Sequence, residues 1–325
     1  MSSIGTSFLG RVFDSYQNMM QIARCVREAG RQRGVARPRI LELSRRDTGL
    51  ADYIPEADLV RHATHEENQP LWSKPLTIPF PDRSFDVCIV TDAYEHVARE
   101  ARPALLSEMV RVTHGLVLIG CPDGSETVTR LDRLVFDFIW GKYAERFEPL
   151  EQHIGFGLDP VDRVVASLRE QGADRVAALP CNYVYRWIHQ ILIFFDLQHR
   201  QPYSELYEPI NRIYNERVSP YDYREPCYRY LMVAPTDPAV DLDTLVRALE
   251  APAETPASVA ETDGVLAQAF RAAESAAGEK LKLASDELQR LYLENAELRR
   301  QRDLAVAELE RLRAGTAGQG RKRWP

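Results

Sequence analysis

The chain has 325 residues, of which 45% are hydrophobic, and it carries a net charge of −7 with an isoelectric point near 5.6. This length and composition are typical of one large globular domain or two smaller ones. An acidic chain of this kind is not expected to bind nucleic acid through bulk charge.

The five cysteines are scattered along the sequence without a Cys-x-x-Cys pair: Cys25, Cys88, Cys121, Cys181 and Cys227. This spacing indicates neither a zinc site nor a disulfide framework, and it favours a reducing, cytoplasmic location. The first 20 residues lack the continuous apolar core and the cleavage site of a secretory signal. No stretch reaches the roughly 18 apolar residues that a membrane span requires.

Apolar residues at helical spacing predict an amphipathic helix over residues 6–30, in an N-terminal segment that ends at residue 34. From about residue 38 to 180, short apolar runs then alternate with helical patterns. The predicted strands are RPRILELS, ADLVRHAT, FDVCIV, GLVLIGCP, RVAALPCN and YRYLMVAP. This alternation predicts a layered α/β domain with a mainly parallel sheet, whose last two strands could form an antiparallel edge pair.

Three segments between these strands have helical patterns: GLADYIP, REARPALLSEMVRVT and DPVDRVVASLREQG. In the last of them, Asp159 is a candidate cap, Pro160 suits the first helical position and Gly172 follows the end. EQHIGFGL, residues 151–158, is instead predicted to be a Gly-rich loop in which a substrate lid could lie. His153 in that loop is either structural or part of a site.

The composition changes after Pro235, and APAETPASVAETDG is typical of a linker, which we place at residues 236–264. Residues 265–313 then have a helical pattern. A heptad repeat over residues 281–312 predicts a short coiled coil, with an intramolecular helix as the alternative. The first seam position of the heptad holds Leu281, Leu288, Asn295, Arg302 and Leu309. The second holds Ala284, Leu291, Leu298, Ala305 and Leu312. An Asn in such a seam often specifies two strands, so we expect a homodimer or a partner helix, and a disordered tail at 314–325.

The segment LTIPFPDRSFDVCIVTDAYEHV, residues 76–97, resembles the class I S-adenosylmethionine-dependent methyltransferases, in particular the type 11 group. ILEL resembles the first strand of that fold with its terminal acid, and LLSEMVRV followed by GLVLIGCP resembles a later helix and strand. The resemblance covers roughly residues 35–235. It implies a doubly wound, Rossmann-like sheet that is mostly parallel and has an antiparallel edge strand.

The resemblance also implies S-adenosylmethionine as the cofactor and assigns residues to its site, without implying a metal. The residues that match cofactor-binding positions are Glu42, Ser44, Gly49, Leu50, Pro79, Phe80 and Asp92. His96 and Asp92 are the candidate catalytic residues, because both follow the strand that faces the methyl group and a histidine titrates near neutral pH.

The sequence departs from the family pattern at three cofactor contacts. Ser44, Arg45 and Arg46 stand in the first loop where small residues are expected. No carboxylate ends the second strand, where Ala63 and Thr64 align and Glu66 and Glu67 follow slightly later; Lys74 aligns with the acid expected before the Pro-Phe pair. The two arginines could bind an anionic ligand, since Arg offers bidentate donors, or they could belong to a solvated loop.

Two further patterns leave alternatives open. The apolar stripe in WIHQILIFFDL could line a pocket for a hydrophobic or lipid-linked acceptor, although a packing helix is the commoner cause. The tyrosine-rich segment 203–230 could bind an acceptor or pack over the sheet. The predicted function is methyl transfer to a small-molecule or sugar- or lipid-linked acceptor. The alternative is an inactive methyltransferase fold that serves as a coiled-coil assembly module.

Overall fold

The structure is a computed structural model, and it describes residues 9–44, 47–63, 77–199, 207–250 and 301–302. The chain divides into two compact units, residues 1–263 and 264–325. In the second unit only Gln301 and Arg302 are described, and both are helical and exposed. The rest of the predicted coiled coil and the predicted tail lie outside the described residues.

Six strands and nine α-helices are described in the first unit. The strands are β1 (Arg39–Ser44), β2 (Asp58–Ala63), β3 (Phe85–Thr91), β4 (Thr113–Pro122), β5 (Ala177–Tyr183) and β6 (Cys227–Pro235). The helices are α1 (Phe13–Arg33), α2 (Leu50–Tyr53), α3 (Arg102–Val112), α4 (Glu126–Tyr143), α5 (Glu148–Phe156), α6 (Val161–Glu170), α7 (Val184–His199), α8 (Tyr207–Arg217) and α9 (Leu242–Leu249).

The strands form one sheet in the order β2-β1-β3-β4-β6-β5. The first four are mutually parallel, and β6 runs antiparallel to both of its neighbours. The predicted α/β class and the antiparallel pairing of the last two strands are therefore confirmed, with β5 at the edge. Because β6 is reversed, its amino-terminal half lies beside the carboxyl end of β4, where Arg229 pairs with Pro122.

The central strands are buried on both faces, so the sheet lies between two helical layers. One face packs against α3 and α6 through residues such as Leu41, Cys88 and Val90. The other face packs against α1, α2 and α9 through alternate residues such as Ile40 and Ile89. This alternation follows from the two-residue period of a strand and gives the doubly wound architecture. In the described residues, no helix is long and apolar enough to cross a membrane.

A third apolar cluster joins α4, α5, α7 and α8 to the start of α1 and to β6. Its largest buried members are Phe13, Trp187, Phe195, Tyr214 and Tyr228. The stripe in WIHQILIFFDL is the apolar face of α7, which packs in this cluster and also contributes Trp187, Ile191 and Phe195 to a cavity wall. The described part of the tyrosine-rich segment forms α8, a 3₁₀ turn and the start of β6, and it contributes Tyr214 and Tyr228 to the same cluster. These helices cover the carboxyl edge of the sheet.

Two local predictions were wrong. Residues 151–158 are not a Gly-rich loop, because Glu148–Phe156 is helix α5, with Pro149 in its first turn and Leu150 buried. Only Gly157, at φ 74°, ends the helix in a backbone conformation that favours glycine. Asp159 does not cap α6, since Pro160 occupies the N-cap position without a side-chain cap.

The predicted linker begins too early. Residues 242–249 form helix α9, which Asp241 caps by accepting a hydrogen bond from the Asp243 amide at 3.1 Å. Leu245 and Leu249 are buried in the layer beside α1, so this helix is part of the domain.

Asp222 connects the tyrosine-rich segment to the end of β5 and the start of α7. Its carboxylate is fully buried, accepts a hydrogen bond from the Tyr214 hydroxyl at 2.7 Å and forms an ion pair with Arg186. Its backbone oxygen accepts from the Tyr183 amide at 3.0 Å. Burial raises the pKa of Asp222 to about 6, although Arg186 and Tyr214 oppose that rise.

This raised pKa predicts a pH-dependent stability difference between the wild type and Asp222→Asn. The unfolded Asp ionises near pH 3.8 and the folded one near 6, so its stability contribution is complete below 3.8 and lost as the pH rises through 6. The free energy of unfolding of the Asn variant should therefore rise relative to wild type by up to ~3 kcal/mol between pH 4 and 7. Urea unfolding across this range measures it, and a constant difference would contradict it.

Candidate functional site

A cavity of about 460 Å³ opens at the carboxyl ends of β1 and β3. Ligands of doubly wound folds bind at this edge of the sheet, and the volume is within the usual range for a ligand pocket. One part of the wall comes from α1 and the loop after β1, where Asp14, Ser15, Ser44, Asp47 and Thr48 contribute polar groups. The other part comes from the covering helices α4, α5 and α7.

The first loop is held by its own polar groups. Ser44 is buried at the end of β1 and lines the cavity. Gly49 has φ 74°, and its amide donates to Asp47 Oδ1 at 2.8 Å, so the turn into α2 requires its left-handed conformation. Arg45 and Arg46 lie outside the described residues, as do Thr64, Glu66, Glu67 and Lys74.

Glu42 is fully buried but does not line the cavity. Its Oε2 accepts a hydrogen bond from Arg61 Nε on β2 at 2.9 Å, and its Oε1 accepts from the Thr48 hydroxyl. Arg61 also contacts Asp47 through Nη2 at 2.6 Å. The carboxylate at the end of β1 therefore joins the first loop to β2.

The other cofactor-binding positions implied by the resemblance are divided between core and surface. Leu50 is fully buried in the core beside α1, and Pro79 is exposed. Phe80 packs edge-on against Phe85 with ring centroids 5.0 Å apart. None of these three lines the cavity, so Ser44 and Asp92 are the only ones of the seven assigned residues that do.

Asp92 meets an arginine that comes from the reversed strand. It follows β3 with φ 52°, and its carboxylate forms an ion pair with Arg229 Nη1 on β6. Asp14 on α1 also acts electrostatically on Arg229. Burial alone would lower the pKa of Arg229, but Asp92 and Asp14 outweigh it and hold that pKa well above its usual value. Burial also raises the pKa of Asp14.

A second polar cluster combines the turn after β3 with the covering helices. Glu95 and His96 lie in the buried 3₁₀ turn Tyr94–His96, and His153 lies on α5. The rings of His96 and His153 face each other with centroids 5.0 Å apart. His153 Nε2 is 3.9 Å from Glu95 Oε1, and its Nδ1 is 2.8 Å from Asp132 Oδ2 on α4. Glu95, His96 and His153 line the cavity, whereas Asp132 does not.

The buried guanidinium of Arg102 fixes the turn that carries this cluster. Arg102 is 2% exposed and forms an ion pair with Asp159 at 2.6 Å. It also donates to the backbone oxygens of Glu95 at 3.1 Å, Val97 at 3.1 Å and Gly157 at 2.9 Å. One side chain therefore connects the turn after β3 to the carboxyl end of α5.

Aromatic and aliphatic side chains form the remaining wall. Trp187 on α7 stacks on Tyr228 on β6, with ring centroids 3.5 Å apart and planes 8° apart. The Tyr228 hydroxyl donates to Asp132 Oδ1 at 2.6 Å. Because Asp132 also contacts His153, this wall is rigidly connected to the polar cluster.

Several of these residues could not be identified from the sequence. Asp14, Asp132 and Arg229 reach the site only because α1, α4 and β6 converge there, whereas His153 was already a candidate in the sequence. The single available signal was Arg229, a charged residue in the otherwise buried pattern of YRYLMVAP.

The order of this sheet and the position of its cavity agree with the doubly wound fold that the resemblance to the class I methyltransferases implies. Residues 48–118 match the family model of a methyltransferase domain. This match confirms the resemblance to the type 11 methyltransferases over that part of the chain. No curated protein matches the sequence.

Solved structures with a similar fold have low sequence identity. The YcgJ protein from Bacillus subtilis is 13% identical, covers 62% of this chain and 93% of its own, and has a TM-score of 0.34. A methyltransferase from Thermotoga maritima, described as a possible histamine N-methyltransferase, is 10% identical with coverages of 73% and 100% and a TM-score of 0.37. A phosphoethanolamine N-methyltransferase from Haemonchus contortus, solved with S-adenosylhomocysteine, is 13% identical with coverages of 66% and 52% and a TM-score of 0.35.

Replacing Arg102 should destabilise the domain strongly. Arg102→Leu removes a buried charge that Asp159 and three carbonyl oxygens compensate, which should cost about 3–5 kcal/mol in urea unfolding. Arg163→Leu is the matched control, because Arg163 approaches the same Asp159 at 3.6 Å but is 60% exposed. It should cost less than about 1 kcal/mol. Equal losses in the two variants would contradict the role given to Arg102.

Proposed function

We propose that this protein transfers a methyl group from S-adenosylmethionine to a small-molecule or sugar- or lipid-linked acceptor in the 460 Å³ cavity. The observation that carries the proposal is the division of the cavity wall into two parts. A polar part lies against the first loop and α1, and an aromatic part lies against a buried cluster of titratable groups. Such a division suits a polar methyl donor and a partly apolar methyl acceptor that bind next to each other.

The polar part suits the charges of the cofactor. S-adenosylmethionine carries a sulfonium, an ammonium and a carboxylate. Asp14, Asp47 and Asp92 offer carboxylates for the two cations, and Arg11 or Arg229 offers a guanidinium for the anion. Ser44 is small enough to leave room at the end of β1. These residues fit the cofactor although Glu42 is turned away from it.

Bound there, S-adenosylmethionine would supply a methyl group activated by its sulfonium. The chain must then orient the acceptor, exclude water and accept the acceptor's proton. Trp187, Ile191 and Phe195 line the cavity and would exclude water. Asp92 is a weak candidate for the base because it is paired with Arg229. We therefore assign proton transfer to the buried cluster that contains His96.

The rest of the wall favours a particular kind of acceptor. A flat or apolar body would stack against the aromatic side chains, and a hydroxyl or amine would point towards Glu95 and the histidines. The alternative of an inactive assembly module is motivated by Glu42, whose carboxylate is already occupied, and by the absence of a carboxylate at Ala63, where the described part of β2 ends. The two functions are distinguished by whether the protein binds S-adenosylhomocysteine.

We further propose a homodimer formed through the heptads at 281–312, and a cytoplasmic location. The location is supported by the cysteines, since all five are buried and free. The dimer is supported by the sequence pattern alone.

Cofactor binding should depend on Asp14. Titration calorimetry with S-adenosylhomocysteine should show binding by the wild type and a roughly 10-fold or greater loss for Asp14→Asn, because a charge-assisted hydrogen bond is lost. Asp162→Asn is the matched control, since Asp162 is exposed on α6. No heat and no thermal shift at millimolar ligand with the wild type would favour the inactive alternative.

Removing residues 279–325 should convert a dimer into a monomer. The cut deletes the whole predicted seam and leaves the described domain through α9 intact. Light scattering of the full-length and shortened chains measures the two masses, and circular dichroism checks that the shortened chain remains folded. An unchanged mass would exclude the coiled coil as the dimer interface.

A further inference from the structure

Three metal-ligating side chains converge in the cavity wall. Glu95, His96 and His153 are all buried, and one potential ligand atom from each lies within 4.8 Å of the other two. Glu95 and His96 are adjacent in the turn after β3, and His153 approaches them from α5. Arg102 fixes the relative position of these two segments through the oxygens of Glu95 and Gly157.

The orientation of His153 is that of a metal ligand. Its Nδ1 is 2.8 Å from Asp132 Oδ2, so Nδ1 carries the proton and donates it to the carboxylate. Asp132 is fixed in turn by the Tyr228 hydroxyl at 2.6 Å. The lone pair of Nε2 then faces Glu95. Histidines that bind metals usually have such a carboxylate partner on the other ring nitrogen.

Glu95 supplies an independent indication that a ligand is missing. Its side chain is 3% exposed, and its Oε2 is buried without a hydrogen-bond partner in the described part of the chain. A buried carboxylate oxygen that accepts no hydrogen bond is costly, because the lost hydration is not replaced. A cation at this position would compensate it.

We propose that Glu95, His96 and His153 bind a divalent transition-metal cation, with Asp132 as the positioning residue of His153. Two imidazoles and one carboxylate suit Zn²⁺, Mn²⁺, Fe²⁺ or Co²⁺ rather than Ca²⁺. Ligands at about 2.1 Å from a tetrahedral ion are roughly 3.4 Å apart, so the cluster must contract slightly from the observed spacing. Three protein ligands leave a coordination position open towards the cavity.

The surrounding charges allow a cation here. Arg229 is a competing positive charge that acts electrostatically on Glu95, but it is paired with Asp92 and also influenced by Asp14. Asp132 adds a second carboxylate behind His153. The bound cation would therefore be neutralised by Glu95 and Asp132. If the proposed methyl transfer also holds, a hydroxyl of the acceptor would bind at the open position, where the cation would lower its pKa so that its proton is released to water. With the cation bound, the two imidazoles would act as ligands and the cation would replace them in removing this proton.

The competing explanation is a buried ion pair, in which a doubly protonated His153 lies between Asp132 and Glu95. The two explanations differ in what they predict on adding metal. An ion pair needs no cation, and replacing Glu95 would leave metal content unchanged. A metal site binds one equivalent and loses it when any ligand is replaced.

The test uses the full-length chain, purified without a metal-affinity tag and stripped with a chelator. Calorimetric titration with Zn²⁺, Mn²⁺ and Co²⁺ should show one equivalent bound by at least one of them, with a higher melting temperature. Glu95→Gln and His153→Gln should abolish this binding. Asp132→Asn should weaken it by about 10–100-fold, as expected for a residue that only orients a ligand.

Glu100→Gln and His114→Gln are the matched controls. Glu100 is exposed, and His114 contacts Arg83 and Asp86 away from the cavity, so both variants should bind as the wild type does. Equal binding in all variants, or none in the wild type, would overturn the proposal. If the site variants do not fold, the visible absorption spectrum of Co²⁺ added to the wild type is the second test. Strong absorption from a protein-bound Co²⁺ would support the site, and only the weak absorption of the hydrated ion would overturn the proposal.

Discussion

The candidate site depends on one buried guanidinium. Arg102 begins α3 and is compensated by Asp159 and by three backbone oxygens. A buried charge is stable only with such full compensation, so the turn at 95–97 and the end of α5 cannot move separately without leaving it unsatisfied. The positions of the polar side chains in the cavity follow from this constraint.

The charged groups at the cavity occur in balanced sets whose members come from different elements. Arg229 from β6 lies between carboxylates of α1 and of the loop after β3. His153 from α5 lies between the carboxylates of Asp132 on α4 and Glu95. Because each set requires several elements to be in place, the site forms only in the complete fold. Groups fixed in this way are oriented before a ligand arrives, which lowers the entropic cost of binding.

The sheet could be predicted because its strands are short apolar runs with clear turn signals, and because Pro-Phe and Ser-Phe-Asp-Val mark the family. The helices α4 and α5, which cover the carboxyl edge of the sheet, could not be predicted. The sequence analysis assigned no helix to the residues of α4, although Val128, Val135 and Ile139 recur at helical spacing, and two glycines concealed α5. His153 and Asp132 therefore had no predicted place beside His96. Arg229 reached the site through the reversal of β6, which depends on pairing between residues more than 100 positions apart.

The first loop departs from the family pattern, and the contacts of Glu42 beside it also differ from those that the family resemblance implies. Glu42 and Arg61 are register partners on β1 and β2, so their ion pair follows directly from the strand pairing. An arginine on β2 uses the carboxylate that the family resemblance assigns to the cofactor. Under the proposed function, the cofactor's charged groups must then be bound by Asp14 and its neighbours on α1. The amino-terminal helix thereby becomes part of the binding site, because it brings the partly buried carboxylate of Asp14 to the cavity in place of Glu42.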